Sequence, residues 1–422
     1  MAQSGMMRKA AGAVCVTLAL ILWAAGAAAQ ERRAVPPEGP VPTKDIFDVL
    51  REWFHKPPKG AEDPVPGGPG KPMFAFTPYV GANSSNGFLV GAAGNIAFFR
   101  GDPRTTRLST GVASLSITSK GQVLLSAKLA AYSRNNTWFV DGDNRLNLTS
   151  QDTYGLGLNT APSDEVDTKY NLFRVYETLY RRVLPGFSLG AGFFFNAHAK
   201  IRPAEASEPI WEESPFVTYS KQYGYDLSSQ TSAGTGFSAM FDNRDSPIDP
   251  SRGLYAGAKY RFFFKGFLGG ESSWQELEYD LRTYLRLSRD YRHRVAFWFY
   301  GDLVTQGTAP YYGLPATGMD TYGRTGRGYL QGRFRGEKLV YGEIEYRWTI
   351  TRDGLLGLVA FLNAQTLSNK QTGEKLFDAF APGGGLGVRL RMNKLSKTNI
   401  CFDIGLGRQG SRGFYVGIQE AF

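Results

Sequence analysis

From residue 73 to residue 422, apolar and polar positions alternate with period two. Leu277, Tyr279, Leu281, Thr283, Leu285 and Leu287 share one side, and Glu278, Asp280, Arg282, Tyr284 and Arg286 the other. Leu254, Ala256, Ala258, Tyr260, Phe262 and Phe264 stand in the same way against Lys259 and Arg261. Ile344, Tyr346, Trp348 and Ile350 alternate with Glu343, Glu345 and Arg347. Leu386, Val388, Leu390 and Met392 alternate with Gly387, Arg389 and Arg391. Successive side chains of a strand point to opposite faces, so each run has one apolar and one charged face. A soluble sandwich alternates too. Here aromatics crowd the apolar face, and the charged face mixes both signs. That is the pattern of lipid outside and a polar lumen inside.

The fold class expected is all-β: a transmembrane antiparallel β-barrel of about 16 strands. Strands are expected over 73–81, 86–99, 107–118, 121–133, 137–147, 168–182, 186–198 and 231–242. The remaining eight are expected over 252–264, 274–288, 292–304, 338–350, 355–367, 384–393, 397–407 and 413–422. Each is long enough to cross the hydrocarbon, which takes about 9–11 tilted residues. Long connections near 148–167, 199–230 and 305–337 alternate with short turns, so the long ones should face outside. No stretch after residue 29 is apolar for the 18 residues a membrane helix needs.

The chain reads as three parts. Residues 1–29 resemble an export signal, with Arg8 and Lys9, an apolar run, and Ala27-Ala28-Ala29 as a cleavage site. Removing it takes away two basic residues and no acid, so the net charge of +10 becomes +8. That modest excess, with no basic tract, does not suggest nucleic acid. Residues 30–72 form a lead with ten of the 22 prolines. Within it Asp45–Phe54 is helix-like, since Ile46, Phe47, Leu50, Trp53 and Phe54 share one face. Such a helix either lies on the domain or membrane surface or enters and plugs the barrel. Residues 73–422 are the barrel.

Little in the sequence speaks for catalysis. His55, His198 and His293 are far apart, so a three-histidine metal site is not expected. With Cys15 in the export signal, Cys401 stands alone and no intramolecular disulfide is expected. Gly405 to Gly410 spells GxGxxG, but only twelve residues follow, too few for a βαβ unit. These glycines read as a turn between the last two strands. Asp141-Gly142-Asp143-Asn144 reads as a turn, because Leu146 stands where a calcium loop needs glycine. There is no GxSxG. No enzyme, cofactor or metal is expected.

Phe414, Val416, Ile418 and Phe422 share one face of the last strand, the pattern read as an outer-membrane assembly signal. Glu420 interrupts that face, and a position near the periplasmic rim would make its charge inexpensive.

Two segments are more specific. Phe241-Asp-Asn-Arg-Asp-Ser-Pro-Ile-Asp-Pro-Ser-Arg-Gly253 is one. The other is Gly326-Arg327-Gly328-Tyr329, followed by Gly332 to Gly336 and the strand Tyr341–Trp348. With the terminal Phe422, these resemble the BamA/TamA superfamily of outer-membrane proteins, also called the bacterial surface antigen family. The resemblance covers about residues 73–422. It implies a sixteen-strand barrel and a (V/L)RG(Y/F) motif on a loop between the eleventh and twelfth strands, folded into the lumen. The strand count from periodicity puts Arg327 at that place independently.

The resemblance further implies an acidic, inward partner for the motif arginine. Glu343, Glu345 and Asp403 have inward parity, with Asp403 preferred, and Asn363 is an uncharged acceptor. Gly326 departs from the aliphatic first position of the motif. In the other segment Asp242, Arg244 and Asp245 are expected to pair locally, with Pro247, Pro250 and Gly253 shaping a turn. Relatives carry periplasmic POTRA modules, for which residues 30–72 are too short, so a POTRA-less branch is expected.

The leading functional expectation is protein insertion or translocation at the bacterial outer membrane. It would use a weak seam between Met73–Gly81 and Gly413–Phe422, where Pro72 and Pro78 lack backbone donors. The alternatives are a pore or export channel for ions, small solutes or a separately encoded partner, and a structural surface antigen. Lys259, Arg261, Arg282, Arg286, Arg347, Arg389 and Arg391 would favour anions unless Glu278, Asp280, Glu343 and Glu345 neutralise them. Expected partners are outer-membrane lipids, the assembly machinery for the chain's own insertion, and a client or secreted protein.

Overall fold

A computed structural model describes residues 43–54, 72–102, 105–205, 208–394 and 397–422. The expected export signal and most of the proline-rich lead lie outside these residues. The described residues form sixteen strands. The first eight are β1 (Met73–Asn83), β2 (Gly87–Phe98), β3 (Ser109–Thr118), β4 (Val123–Tyr132), β5 (Trp138–Thr153), β6 (Val166–Leu184), β7 (Phe187–Pro203) and β8 (Ser229–Asp242). The second eight are β9 (Gly253–Phe263), β10 (Trp274–Arg286), β11 (His293–Gly307), β12 (Lys338–Thr349), β13 (Leu356–Ser368), β14 (Ala381–Asn393), β15 (Thr398–Gly407) and β16 (Arg412–Ile418). Each pairs antiparallel with its neighbours in sequence, and β1 meets β16 to close the barrel.

Outward positions carry exposed apolar side chains such as Phe74, Phe76, Val80, Phe88, Ile117, Leu362 and Leu386. Such a belt far exceeds the few hundred Å² of apolar patch a soluble monomer exposes. Against hydrocarbon it is what a spanning barrel requires. No helix among the described residues is long and apolar enough to cross a membrane.

The strand boundaries differ from expectation at several ends. β5 runs on to Thr153, pairing with β6 through Val166. Its outward face turns polar at Ser150 and Asp152, so the apolar alternation stops before the strand does. The segment Asp141–Asn144, expected as a turn, lies inside β5. Of the GxGxxG glycines, Gly405 and Gly407 belong to β15, and only 408–410 form the turn. β16 ends at Ile418 rather than 422.

Two elements occupy the lumen. The connection 308–337 folds inward, and beside it packs α3 (Pro215–Tyr223), which follows the short α2 (Glu208–Glu212). Phe194, Phe216, Val217, Trp274 and Tyr311 form one apolar cluster, and Trp298, Tyr329, Phe334, Tyr341 and Phe422 another. A cavity of about 700 Å³ remains, with Lys259, Arg261, Glu278 and Tyr322 among its walls.

The helix α1 (Ile46–Trp53) forms as expected, capped by Asp45, which accepts from the amides of Phe47 and Asp48 at 3.1 Å. It sits outside the lumen, at the short-turn end. The Lys44 amide donates to the Asp353 carbonyl at 3.0 Å, and the Lys394 ammonium to the Asp48 carboxylate at 2.8 Å. Of the two sequence alternatives, the surface position is the one adopted.

Candidate functional site

The loop 308–337 is held in the lumen by its motif. Gly326 and Gly328 both have positive φ, +74° and +110°. A Cβ on Gly326 would come within 2.4 Å of the Thr317 methyl, and one on Gly328 within 2.7 Å of the Leu406 carbonyl. This explains why glycine stands at the first motif position: the backbone there is left-handed and the space is taken. Between the two glycines, Arg327 is driven into the wall and is only 1% exposed.

Its guanidinium meets three carboxylates. Nη1 donates to Asp403 at 3.1 Å, Nε donates to Glu343 at 3.3 Å, and Nη2 reaches both Glu343 and Glu345. Its centre lies 3.7 Å from the middle of the Phe361 ring. The sequence left three candidate acids open, with Asp403 preferred, and the structure uses all three. Asn363 is not a guanidinium partner: its Nδ2 donates to the Arg327 carbonyl at 2.9 Å. Tyr329 donates its hydroxyl to the Pro382 carbonyl and packs edge-on against Phe334.

The acids are shared with two further arginines that sequence reasoning read only as lumen charges. Arg347 donates to Glu345 at 2.6 Å and to the Phe422 carbonyl at 2.8 Å. Arg389 donates to Asp403 at 2.5 Å and to Glu420 at 2.7 Å. Buried charges persist only when paired and hydrogen-bonded, and here each is. Their inward parity was visible, but parity does not say which partner crosses the lumen.

The tail 419–422 departs from expectation. Gln419 has φ +76°, and the chain turns into the lumen there. Phe422 is only 5% exposed, its ring 5.2 Å from that of Trp298. Phe414 and Ile418 still face outward, with Val416 on the same side; Phe422 does not join them. Glu420 is likewise buried, accepting from Arg389 and from Asn399 at 2.6 Å, rather than lying at the rim. The physical reason is the charge itself: continued alternation would have pointed Glu420 at lipid, and the inward turn pairs it instead.

The turn motif stands apart from the loop arginine. Arg244 and Asp242 pair at 2.9 and 3.0 Å. Asp245 instead accepts from Ser251 at 2.5 Å and from Arg286 at 3.3 Å. Pro247 and Pro250 lie in this connection, and Gly253 has φ +105°, where a Cβ would meet Arg244 Cα at 2.7 Å. Asp249, which the sequence did not single out, takes Arg294 at 2.8 Å and Arg391 at 3.2 Å across the short-turn end.

The seam lies beside the loop. β1 pairs with β2 at eleven positions and β15 with β16 at seven. β1 and β16 pair at only two, Ala82 with Val416 and Asn83 with Tyr415. The loop touches both sides of that end. The Gly328 amide donates to the Tyr415 hydroxyl at 3.0 Å, and the Gln331 amide to the Ser85 hydroxyl at 2.7 Å.

The model of the Omp85 superfamily domain matches residues 144–422, well over half of the chain. The chain belongs to the Omp85 superfamily. No curated protein matches it. Among solved structures it is similar to BamA from Haemophilus ducreyi lacking POTRA domains 1–3, with TM-score 0.56 and 12% identity over 83% of this chain and 70% of that one. It is also similar to CdiB from Acinetobacter baumannii, with TM-score 0.51 and 11% identity over 83% of this chain and 60% of that one. CdiB from Escherichia coli gives TM-score 0.51 and 11% identity over 82% of this chain and 63% of the other. The chain thus spans less than two thirds of either CdiB. At such identities the likeness concerns the fold alone. The Omp85 fold supports an outer-membrane location.

Proposed function

We propose that this Omp85 barrel serves protein insertion or translocation at the outer membrane, through its seam. The observation that carries this reading is the pairing of β1 with β16 at two positions only. It leaves most of the β1 edge without a partner strand on that side. An unpaired edge is a template for an incoming strand, whose backbone supplies hydrogen bonds while side-chain alternation sets the register. The pinned loop favours this over a pore, because paired arginines and the folded-in loop occupy part of the lumen.

The test is a tether. Ala82→Cys with Val416→Cys joins the paired positions by a disulfide, in proteoliposomes given a urea-unfolded eight-strand barrel protein. The reduced form should speed client folding over empty liposomes, the oxidised form should not, and reductant should restore the rate. Equal rates with the tether open and closed would overturn the proposal.

A further inference from the structure

Arginines stand side by side at the short-turn end of the lumen. Arg286 on β10, Arg294 on β11 and Arg347 on β12 are direct register partners across three neighbouring strands. Like charges directly opposite on paired strands repel, so the row needs negative charge close by. Arg286 has Asp245 and Arg347 has Glu345. Arg294 meets Asp249 at 2.8 Å, and Arg391 of β14 reaches the other oxygen of the same carboxylate at 3.2 Å. Among the described residues, Asp249 is the only carboxylate paired with either arginine. Two guanidinium groups thus share one acid. Glu343, Glu345, Asp403 and Glu420 are all engaged by Arg327, Arg347 and Arg389.

Three buried nitrogen atoms around Asp249 have no hydrogen-bond partner: Arg294 Nε, Arg347 Nη1 and Arg391 Nη1. Arg347 is the deepest, 2% exposed, and its Nη1 lies 3.9 Å from Asp249, beyond hydrogen-bond range. A cavity of about 20 Å³ opens beside them, with all three arginines on its wall. Arg389, Asn399 and Glu420 line it too, but Glu420 is already held by the other two. A water-sized guest needs roughly 10–15 Å³, so this space takes one such guest and is too small for a phosphate or a carboxylate group. A water would satisfy the donors and leave the surplus charge unanswered. A buried charge is costly until it is paired, which favours an anion of that size.

We propose that Arg294, Arg347 and Arg391 bind one monatomic anion of chloride size between β11, β12 and β14. The ion neutralises the arginine row. With Asp249 it clamps the turn 243–252 to those three strands. Entry is from the short-turn end, where the side chains of Arg294 and Arg391 keep 12% and 14% exposure.

The test is a chloride titration of the refolded full chain in detergent, with sodium gluconate replaced by sodium chloride at fixed ionic strength. Heat-modifiable gel mobility gives the unfolding midpoint. In the wild type the midpoint should rise by several degrees and saturate. Arg294→Gln and Arg391→Gln should each remove the chloride-dependent rise. Arg352→Gln, an exposed arginine in the turn after β12, should keep it. Crystals of the wild type grown in sodium bromide give a second readout that needs no variant to fold. An anomalous peak should stand between Arg294, Arg347 and Arg391. Equal midpoints in chloride and gluconate would overturn the proposal, as would a rise that survives in both arginine variants. So would a water without anomalous signal at the site, which would mean that the cavity is merely hydrated.

Discussion

The amide of Gly328 donates to the hydroxyl of Tyr415 at 3.0 Å. One residue belongs to the inward loop, the other to the strand that closes the barrel, where Tyr415 faces Asn83. The motif that pins the loop is therefore bonded to the seam at the point where the seam is still paired.

Arg327→Ala should destabilise the barrel strongly, because Glu343, Glu345 and Asp403 lose a shared cation in a buried site. Removing one partner of a buried ion pair costs about 3–5 kcal/mol. Arg327→Lys should recover only part, since an ammonium is a point charge without the planar fork. Guanidinium unfolding followed by tryptophan fluorescence would give both values.

The loop's seat depends on a close backbone approach. A Cβ on Gly405 would lie 2.8 Å from the Gly328 amide nitrogen. Gly405→Val should displace the loop while leaving the strands intact. Limited proteolysis from the outer side should then cut within 308–337, which stays uncut in the wild type.

A displaced loop should also open the lumen. In planar bilayers the wild type should pass small currents, and Arg327→Ala clearly larger ones. Large steady currents from the wild type would favour the pore reading.

The turn 243–252 gives a pH dependence. Burial opposes ionisation of Asp245, but the Ser251 hydroxyl and the amides of Ser251 and Arg252 outweigh it and hold the carboxyl below its ordinary 3.8. A lowered carboxyl stabilises fully above its unfolded value and loses that contribution as pH falls through the folded one. Asp245→Asn should therefore unfold at lower denaturant than the wild type at pH 7, and the gap should close near pH 2.

Most of this architecture is legible in the sequence, because lipid on one side and charge on the other impose strict alternation. The strands with one apolar face, such as β10 and β12, were placed within two residues. Legibility fails where the wall leaves the membrane, as in the upper part of β5, and where alternation continues but the backbone does not. Phe422 is the clearest instance: its spacing matches Phe414 and Ile418, yet the turn at Gln419 takes it inside. Glu420 carried the warning, as a charge in an otherwise apolar set. The three acids around Arg327 were legible as candidates. Their convergence was not, since it depends on a loop crossing the lumen.

The central claim is the short seam, and amide hydrogen exchange along β1 in nanodiscs tests it most directly. Strand amides alternate between neighbours, so in Met73–Gly81 those aimed at β2 should be protected and those aimed at β16 should exchange early. The amides of Ala82 and Asn83 should both be protected, whichever neighbour each faces. Uniform protection along the whole of β1 would mean a continuous seam, and would contradict the account.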